Sequence, residues 1–188
     1  IAVIGGGVTG TSVAWHLASR DAGEIVLLER DRLGSGTTWH SAGNITWVPG
    51  SDHILTLFDT LDQVARESEQ DTGWLWTGRL FLARTEKTLD SFRSMAVAAD
   101  AMRFENAWLD PQAAAERHPL LHGDRLAGAR FNSRSGRVNP ADLTAAYARA
   151  ARRRGVTIRE GCNVTGLDIR NGRVKKVCTD DDDIEVDD

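Results

Sequence analysis

Ile1-Ala-Val-Ile-Gly-Gly-Gly-Val-Thr-Gly10 opens the chain, and the reading of this stretch decides the fold. The apolar run Ile1 to Ile4 predicts a short buried strand. Gly5, Gly7 and Gly10 then occupy the first, third and sixth places of G-x-G-x-x-G. In a dinucleotide-binding turn the first glycine allows the tight bend and the second lets backbone amides approach a pyrophosphate. The third lets the next helix pack against the strand. That helix is expected over about Val8 to Arg20, with the first-turn N–H groups of Val8, Thr9 and Gly10 and the positive dipole end turned to the phosphates. Ile25-Val-Leu-Leu28 predicts a second buried strand, ending in Glu29. This carboxylate stands 19 residues after Gly10, near the spacing of about 20 expected of an acid that accepts both ribose hydroxyls. Arg30 adjoins it and is placed with the cofactor-binding residues. Glycines alone would fit any tight turn; strand, glycines, helix, strand and acid in register point to a dinucleotide, without separating NAD from FAD.

A second loop follows, Gly34-Ser-Gly-Thr-Thr-Trp-His40-Ser-Ala-Gly43. Glycine and hydroxyl residues such as Ser35, Thr37 and Thr38 let a loop line a cofactor with amides and side chains. A neutral imidazole such as that of His40 can act as a nucleophile towards an electrophilic carbon. Composition alone favours a polar surface loop with an incidental histidine.

The glycine turn with Glu29, together with Ser35-Gly-Thr-Thr-Trp-His-Ser-Ala-Gly43, resembles the start of the dimethylglycine and sarcosine dehydrogenase family. These are FAD-dependent amine oxidoreductases of the D-amino-acid-oxidase fold. The family shows S-G-T-T-W-H-A-A-G, and its histidine carries FAD through the flavin 8α-methyl group. The resemblance therefore implies His40 as a covalent flavin ligand, with Ala42 and Gly43 beside the cofactor; Ser41 stands where the family usually has alanine. G-R-L-F-L-A-R-T, L-D-P-x-x-A-x-x-x-x-P-L-L and G-R-V-N-P also have family counterparts. The resemblance covers essentially the whole chain, but only the two N-terminal motifs are specific. Trp39 and Trp47 are candidates for the flavin pocket wall or for core packing, and the residue matching Val164 reaches adenine through its backbone in flavoproteins of this type.

The 188 residues suffice for a sizeable core. With 23 Lys and Arg against 27 Asp and Glu, the net charge is −4 and no large basic patch is evident, which argues against a nucleic-acid partner. Arg152-Arg-Arg154 is the basic run, placed to complement the dipole at a helix end. No stretch of 18 apolar residues predicts a membrane span. Cys162 and Cys178 do not suggest a secreted disulfide scaffold; an Asn171-Gly172 hairpin turn would set Cys178 opposite Thr165 and Cys162 opposite Asp181. Reduced thiols fit a cytoplasmic protein, or one of the mitochondrial matrix in a eukaryote. The opening inside a strand without Met suggests a trimmed chain.

Further along, Ser51 or Asp52 is expected to cap an amphipathic helix with Ile54, Leu57, Phe58, Leu61, Val64 and Ala65 on one face. Leu75 to Ala83 reads as a strand interrupted or bulged at Gly78. Thr85 to Met102 reads as a helix with Leu89, Phe92, Ala96 and Ala99 inward, Ala107 to Leu109 as a strand, and Asp110-Pro111 as a helix start. Leu126 to Phe131 is a strand and Ser133 to Gly136 a turn. His118 and His122 stand four apart, but Pro119 opposes a helix through them and no further ligand completes a metal site. Asn139-Pro140 starts a helix to about Arg154 with Leu143, Ala146, Tyr147 and Ala150 inward. Val156 to Glu160 is the third parallel strand, and a meander follows: Asn163 to Arg170, Arg173 to Cys178, and a strand from Ile184. Asp180 to Asp183 reads as a solvated tip.

The fold expected is thus α/β: a Rossmann-like FAD-binding domain of the glutathione-reductase and D-amino-acid-oxidase type with an inserted α+β substrate-side layer, truncated at its C-terminal side. Residues 1–72 and 139–188 form the FAD-binding part and 73–138 the insertion. By resemblance, the activity is oxidation of the C–N bond of a secondary or tertiary amine, such as dimethylglycine or sarcosine, by hydride transfer to the flavin. An electron-transfer flavoprotein or oxygen would accept the electrons, and folate the one-carbon unit. No catalytic base is legible. A non-covalent amine or amino-acid oxidase, with His40 only lining the pocket, and a non-catalytic nucleotide-binding module stay open as alternatives.

Overall fold

A computed structural model describes residues 1–46, 53–101 and 106–186, without the side chains of 54, 55, 95–101 and 106. The chain runs β1 (Ala2–Ile4), α1 (Val8–Ala18), β2 (Val26–Glu29), a 3-10 turn (Thr37–His40), β3 (Asn44–Thr46), α2 (His53–Ser68), β4 (Arg79–Ala83), α3 (Glu86–Ala101) and β5 (Asn106–Leu109). It continues through α4 (Pro111–Arg117), β6 (Gly128–Asn132), β7 (Ser135–Arg137), α5 (Pro140–Arg153), β8 (Thr157–Glu160), β9 (Val164–Arg170), β10 (Arg173–Thr179) and β11 (Asp183–Glu185). Residues 47–52, with Trp47 and the Ser51 or Asp52 cap, lie outside the described residues, as do Met102 and the side chains of Ile54, Ala96 and Ala99.

The chain divides into two compact units, Ile1–Gly43, Thr60–Gly73 and Val138–Asp188 in one, Asn44–Asp59 and Trp74–Arg137 in the other. In the first, β1, β2 and β8 form a parallel sheet in that order, with Leu28 opposite Ile4 on one side and Arg159 on the other. Parallel strands need covered faces. One face receives α1 and α5, whose Ala14, Trp15, Ala146, Tyr147 and Ala150 are buried. Small residues on both helices let them approach closely, and the Trp15 and Tyr147 rings meet edge to face at 5.8 Å. Asn139 caps α5, its Oδ1 accepting from the Ala141 and Asp142 N–H groups at 3.0 and 3.4 Å; such a cap contributes about 1 kcal/mol. Leu28, Cys162 and Val177 join this sheet to the antiparallel meander β11-β10-β9.

The meander's register departs from the simple hairpin. A bulge between Val174 and Lys176 shifts the pairing by one residue, so Cys178 faces Gly166 rather than Thr165. Cys162 precedes β9 and donates its N–H to Glu29 O at 2.9 Å instead of pairing across the hairpin. Both thiols are free. The acidic run Asp180 to Asp183 is exposed throughout. Asp182 takes both Arg159 guanidinium nitrogens at 2.7 and 3.1 Å, and Asp183 starts β11.

In the second unit β4, β6 and β5 make an antiparallel sheet in that order, and β3 pairs with β7. The strand expected from Leu75 is interrupted at Gly78 as read from the sequence: Leu75 makes an isolated bridge to Arg137, the chain turns at Gly78 with φ +64°, and β4 begins at Arg79. A Cβ on Gly78 would sit 2.3 Å from the Phe131 ring. Ser135 and Gly136, read as part of a turn, instead pair with Thr46 and Ile45. Arg130 of β6 is fully buried with its guanidinium 4.6 Å from the Phe81 ring centroid. Asp110 Oδ1 caps α4 by accepting from Ala113 N at 2.8 Å. That helix stops at Arg117, and His118 follows in extended conformation, so His118 and His122 do not share a helix face. Among the described residues no helix is long and apolar enough to cross a membrane, and none of their His, Cys, Asp and Glu form a group of three that could hold a metal.

Candidate cofactor site

The glycine turn is built as a bend from β1 into α1. Gly5 has φ +102°, a conformation that L side chains rarely adopt, and its N–H donates to Leu28 O at 2.8 Å. A Cβ on Gly10 would lie 1.8 Å from Gly5 O, so only glycine lets α1 come this close to the strand. Thr11 is the first residue of α1 to donate back into the helix, to Gly7 O at 3.0 Å. Helix geometry leaves the preceding N–H groups to other acceptors. Gly7, at the N-cap, offers no side-chain cap, and the first turn has no acidic residue. This donor set, at the positive end of a dipole and with no carboxylate of its own in the turn, suits an anion such as a pyrophosphate.

The 3-10 turn reaches the same place. The Thr38 hydroxyl accepts from Val8 N–H at 3.0 Å, and a Cβ on Gly7 would come within 2.8 Å of it. Gly7 is therefore small for Thr38 as much as for any ligand. Trp39 and His40 follow with ring centroids 4.2 Å apart, and Trp39 is 62% exposed, not packed in a core. Ser35, Thr37, His40 and Ala42 are all exposed on this loop. Gly43, at φ +67°, closes it: its carbonyl accepts from Val138 N–H at 2.9 Å, and a Cβ would meet Val138 O at 2.2 Å.

Glu29 stands at the carboxyl end of β2. Its Oε2 accepts from Gly6 N–H at 2.7 Å and its Oε1 from Asp31 N–H at 2.9 Å. Each carboxylate oxygen has about two acceptor sites, so two backbone donors orient the group and leave one site per oxygen for a diol. Glu29 lines a cavity of about 230 Å³ together with Gly5, Arg30 and Val164, and with Ile4, Leu28, Cys162 and Asn163. Arg30 turns its Nε to Asp31 at 3.3 Å, both side chains mostly exposed.

The structure thus gathers the sequence-derived residues into two groups, Gly5, Glu29, Arg30 and Val164 around the cavity and Gly7, Val8 and Thr38 at the start of α1. Three contributors were not legible. Gly6 is one: a Cβ there would strike Leu33 Cδ2 at 2.6 Å and Glu29 Cβ at 2.8 Å. A third consecutive glycine was the available signal. Glu160 is another, its Oε1 accepting from Leu33 N–H at 2.7 Å and so holding the loop's entry. Cys162, at the cavity wall, gave no signal beyond its place after the third strand.

A parallel sheet with a glycine turn, an acid at the end of its second strand and an antiparallel companion unit is the architecture of D-amino-acid-oxidase-type FAD-binding proteins. The chain belongs to that family: the model of the FAD dependent oxidoreductases (DAO) matches residues 1–187. Sarcosine dehydrogenase, mitochondrial, of Mus musculus is 36% identical over 175 residues, 90% of this chain and 19% of the relative. The pyruvate dehydrogenase phosphatase regulatory subunit, mitochondrial, of the same organism is 33% identical over 189 residues, 98% of the chain and 22% of the relative. Among solved structures, L-proline dehydrogenase from P. horikoshii superposes with a TM-score of 0.87 at 26% identity, covering 98% of this chain and 50% of that one. The chain thus spans about a fifth of the length of these two relatives.

Proposed function

We propose that this chain supplies the FAD-holding portion of an oxidoreductase that oxidises the C–N bond of a secondary or tertiary amine of the N-methylglycine type. The observation that supports it most is the 36% identity to a sarcosine dehydrogenase along 90% of the chain. Thr9 and Gly10 present amides to the pyrophosphate, with Gly5 and Gly7 shaping the turn and Val8 tied to Thr38. Glu29 takes the ribose hydroxyls, and the backbone at Val164 faces the adenine. Ser35, Thr37, Thr38, Ala42 and Gly43 border the flavin, and His40 is its covalent anchor. The chemistry that FAD supplies when bound is acceptance of a hydride from the carbon beside the amine nitrogen. The part of the chain's own residues is to hold the ring system in one place, so that positioning rather than a protein nucleophile lowers the barrier. Electron-transfer flavoprotein or oxygen completes the cycle, with folate as acceptor of the one-carbon unit, in the cytoplasm or, in a eukaryote, the mitochondrial matrix.

Acid precipitation tests the anchor. Yellow colour is expected to stay in the washed pellet of the wild type and to pass to the supernatant in His40→Ala. Flavin released intact from the wild type would remove His40 from the attachment role and leave a non-covalent oxidase. A second reading, a non-catalytic nucleotide-binding module, draws on the relative described as a phosphatase regulatory subunit. Anaerobic bleaching of the flavin by sarcosine or dimethylglycine separates the two, since a module without catalysis leaves the spectrum unchanged.

A further inference from the structure

β2 and β8 end side by side at the carboxyl edge of the parallel sheet, and each ends in a carboxylate: Glu29 and Glu160 are register partners. Their oxygens go to different places. Glu29 takes the Gly6 and Asp31 N–H groups, at the nucleotide end of the site. Glu160 Oε1 takes the Leu33 N–H at 2.7 Å, while its Oε2 stands 3.9 Å from Arg152 Nη2 at the end of α5. Leu33 directly precedes Gly34, which turns the chain at φ +75° into the loop bearing Thr38 and His40. Leu33 also lies over the glycine turn, its Cδ2 filling the space that a Cβ on Gly6 would need.

The two ends of this stretch are held differently. Beside Glu29, Cys162 N–H donates to Glu29 O at 2.9 Å and Gly161 N–H to Asp31 O at 3.0 Å, so backbone bonds fix that end to the residues after β8. Beside Gly34, the ties are Gly34 N–H to Gly6 O at 2.9 Å and the Glu160 carboxylate. An ionised acceptor makes the stronger hydrogen bond, and a binding loop is placed by the rigid elements that hold it. On the reading of residues 34–43 as the border of the flavin, we infer that Glu160 is a positioning residue. Acting through Leu33 rather than on the cofactor, it sets where the flavin half of FAD is gripped. The adenosine half, served by Glu29 and the turn, is independent of it.

ADP carries the adenosine diphosphate half of FAD without the flavin, so the two ligands separate the two ends. Both are titrated into flavin-free protein, ADP by calorimetry and FAD by the quenching of its fluorescence on mixing, before any attachment. Glu160→Ala is expected to weaken FAD about 10-fold, the scale of one hydrogen bond to a charged group, and to leave ADP within about 2-fold. Glu160→Gln keeps an acceptor oxygen and is expected to restore most of the FAD affinity. Hydrogen exchange over residues 33–43 should quicken in Glu160→Ala with α1 unchanged, a readout that needs no cofactor. The Glu160 side chain is 41% exposed, so both variants should fold, and thermal denaturation checks it. Equal loss of FAD and ADP, loss of neither, glutamine as weak as alanine, or unchanged exchange would overturn the assignment. A wild-type protein that takes up ADP but no FAD would defeat the cofactor reading itself. The assignment to the flavin falls with it, and the exchange data then report only whether Glu160 holds the loop.

Discussion

Gly10→Ala is expected to yield protein that retains no FAD and melts far below the wild type. The added methyl would lie 1.8 Å from Gly5 O, 3.0 Å from Gly5 C and 3.7 Å from Val3 Cγ1. The first two are backbone atoms of the turn and cannot swing aside as a side chain can. Relief requires α1 to lift from β1, which breaks its packing with α5 and moves the first-turn amides together. Overpacking of this kind costs about 1–3 kcal/mol where side chains can yield, and more where backbone must. Gly166→Ala is the matched control, because a Cβ there meets nothing within 4 Å and the residue lies in the extended backbone of β9. Differential scanning calorimetry and the ratio of flavin to protein absorbance read both effects. A Gly10→Ala protein with wild-type melting and a full flavin complement would show that the turn is not under the constraint described.

Glu67→Gln should give the next largest loss, with a distinctive pH dependence. Glu67 accepts from Trp15 Nε1 at 2.9 Å, Gln63 Nε2 at 2.9 Å, and Arg154 Nε and Nη2 at 2.8 and 2.5 Å. It thereby ties α2 to both α1 and the end of α5. The Arg154 hydrogen bonds above all hold its carboxyl down at about 2, from an ordinary 4.5. A folded-state pKa below the unfolded value means that the stabilisation is complete above about 4.5 and disappears as pH falls towards 2. Glutamine keeps the shape but leaves Arg154 without its counter-charge. The side chains retain a quarter to a third of their surface, which screens the pair, so a loss of about 1–3 kcal/mol at neutral pH is expected. For a chain of this length that is about 2–4 °C of melting temperature per kcal/mol. Between pH 4.5 and 2 the wild-type and variant curves should converge. Parallel curves across that window would mean that Glu67 is not the titrating group.

The elements read correctly in the sequence are those whose cause is local. Asn139-Pro140 and Asp110-Pro111 announce their helices because a capping oxygen and a proline act within one turn. The strand, glycines and acid of the cofactor turn lie within thirty residues of one another, and each needs only its neighbours to explain it. What escaped depends on partners far along the chain. Ser135 and Gly136 have the composition of a turn and become strand only because Asn44–Thr46 offers a ladder. Arg154 complements a helix end, as its position suggests, yet its stronger tie is to Glu67, 87 residues away. Arg130 gave no sign that it would be buried, since periodicity cannot say which strand carries a charge inward onto an aromatic ring. The one-residue slip that moved Cys178 to Gly166 came from a bulge that turn chemistry at Asn171-Gly172 does not encode.

The Thr38 hydroxyl, bonded to Val8 N–H and seated against Gly7, has a bearing on molecular length. It ties the turn bearing His40 to the start of α1, and the Gly34 N–H donating to Gly6 O at 2.9 Å joins the same loop to the glycine turn, so the interval between the two is set by covalent geometry and these hydrogen bonds. A molecule gripped at its phosphates and at its far ring must span that interval. On the reading proposed above, Thr38 is a gauge: it lets the fold measure its ligand from end to end and pass over nucleotides that are too short.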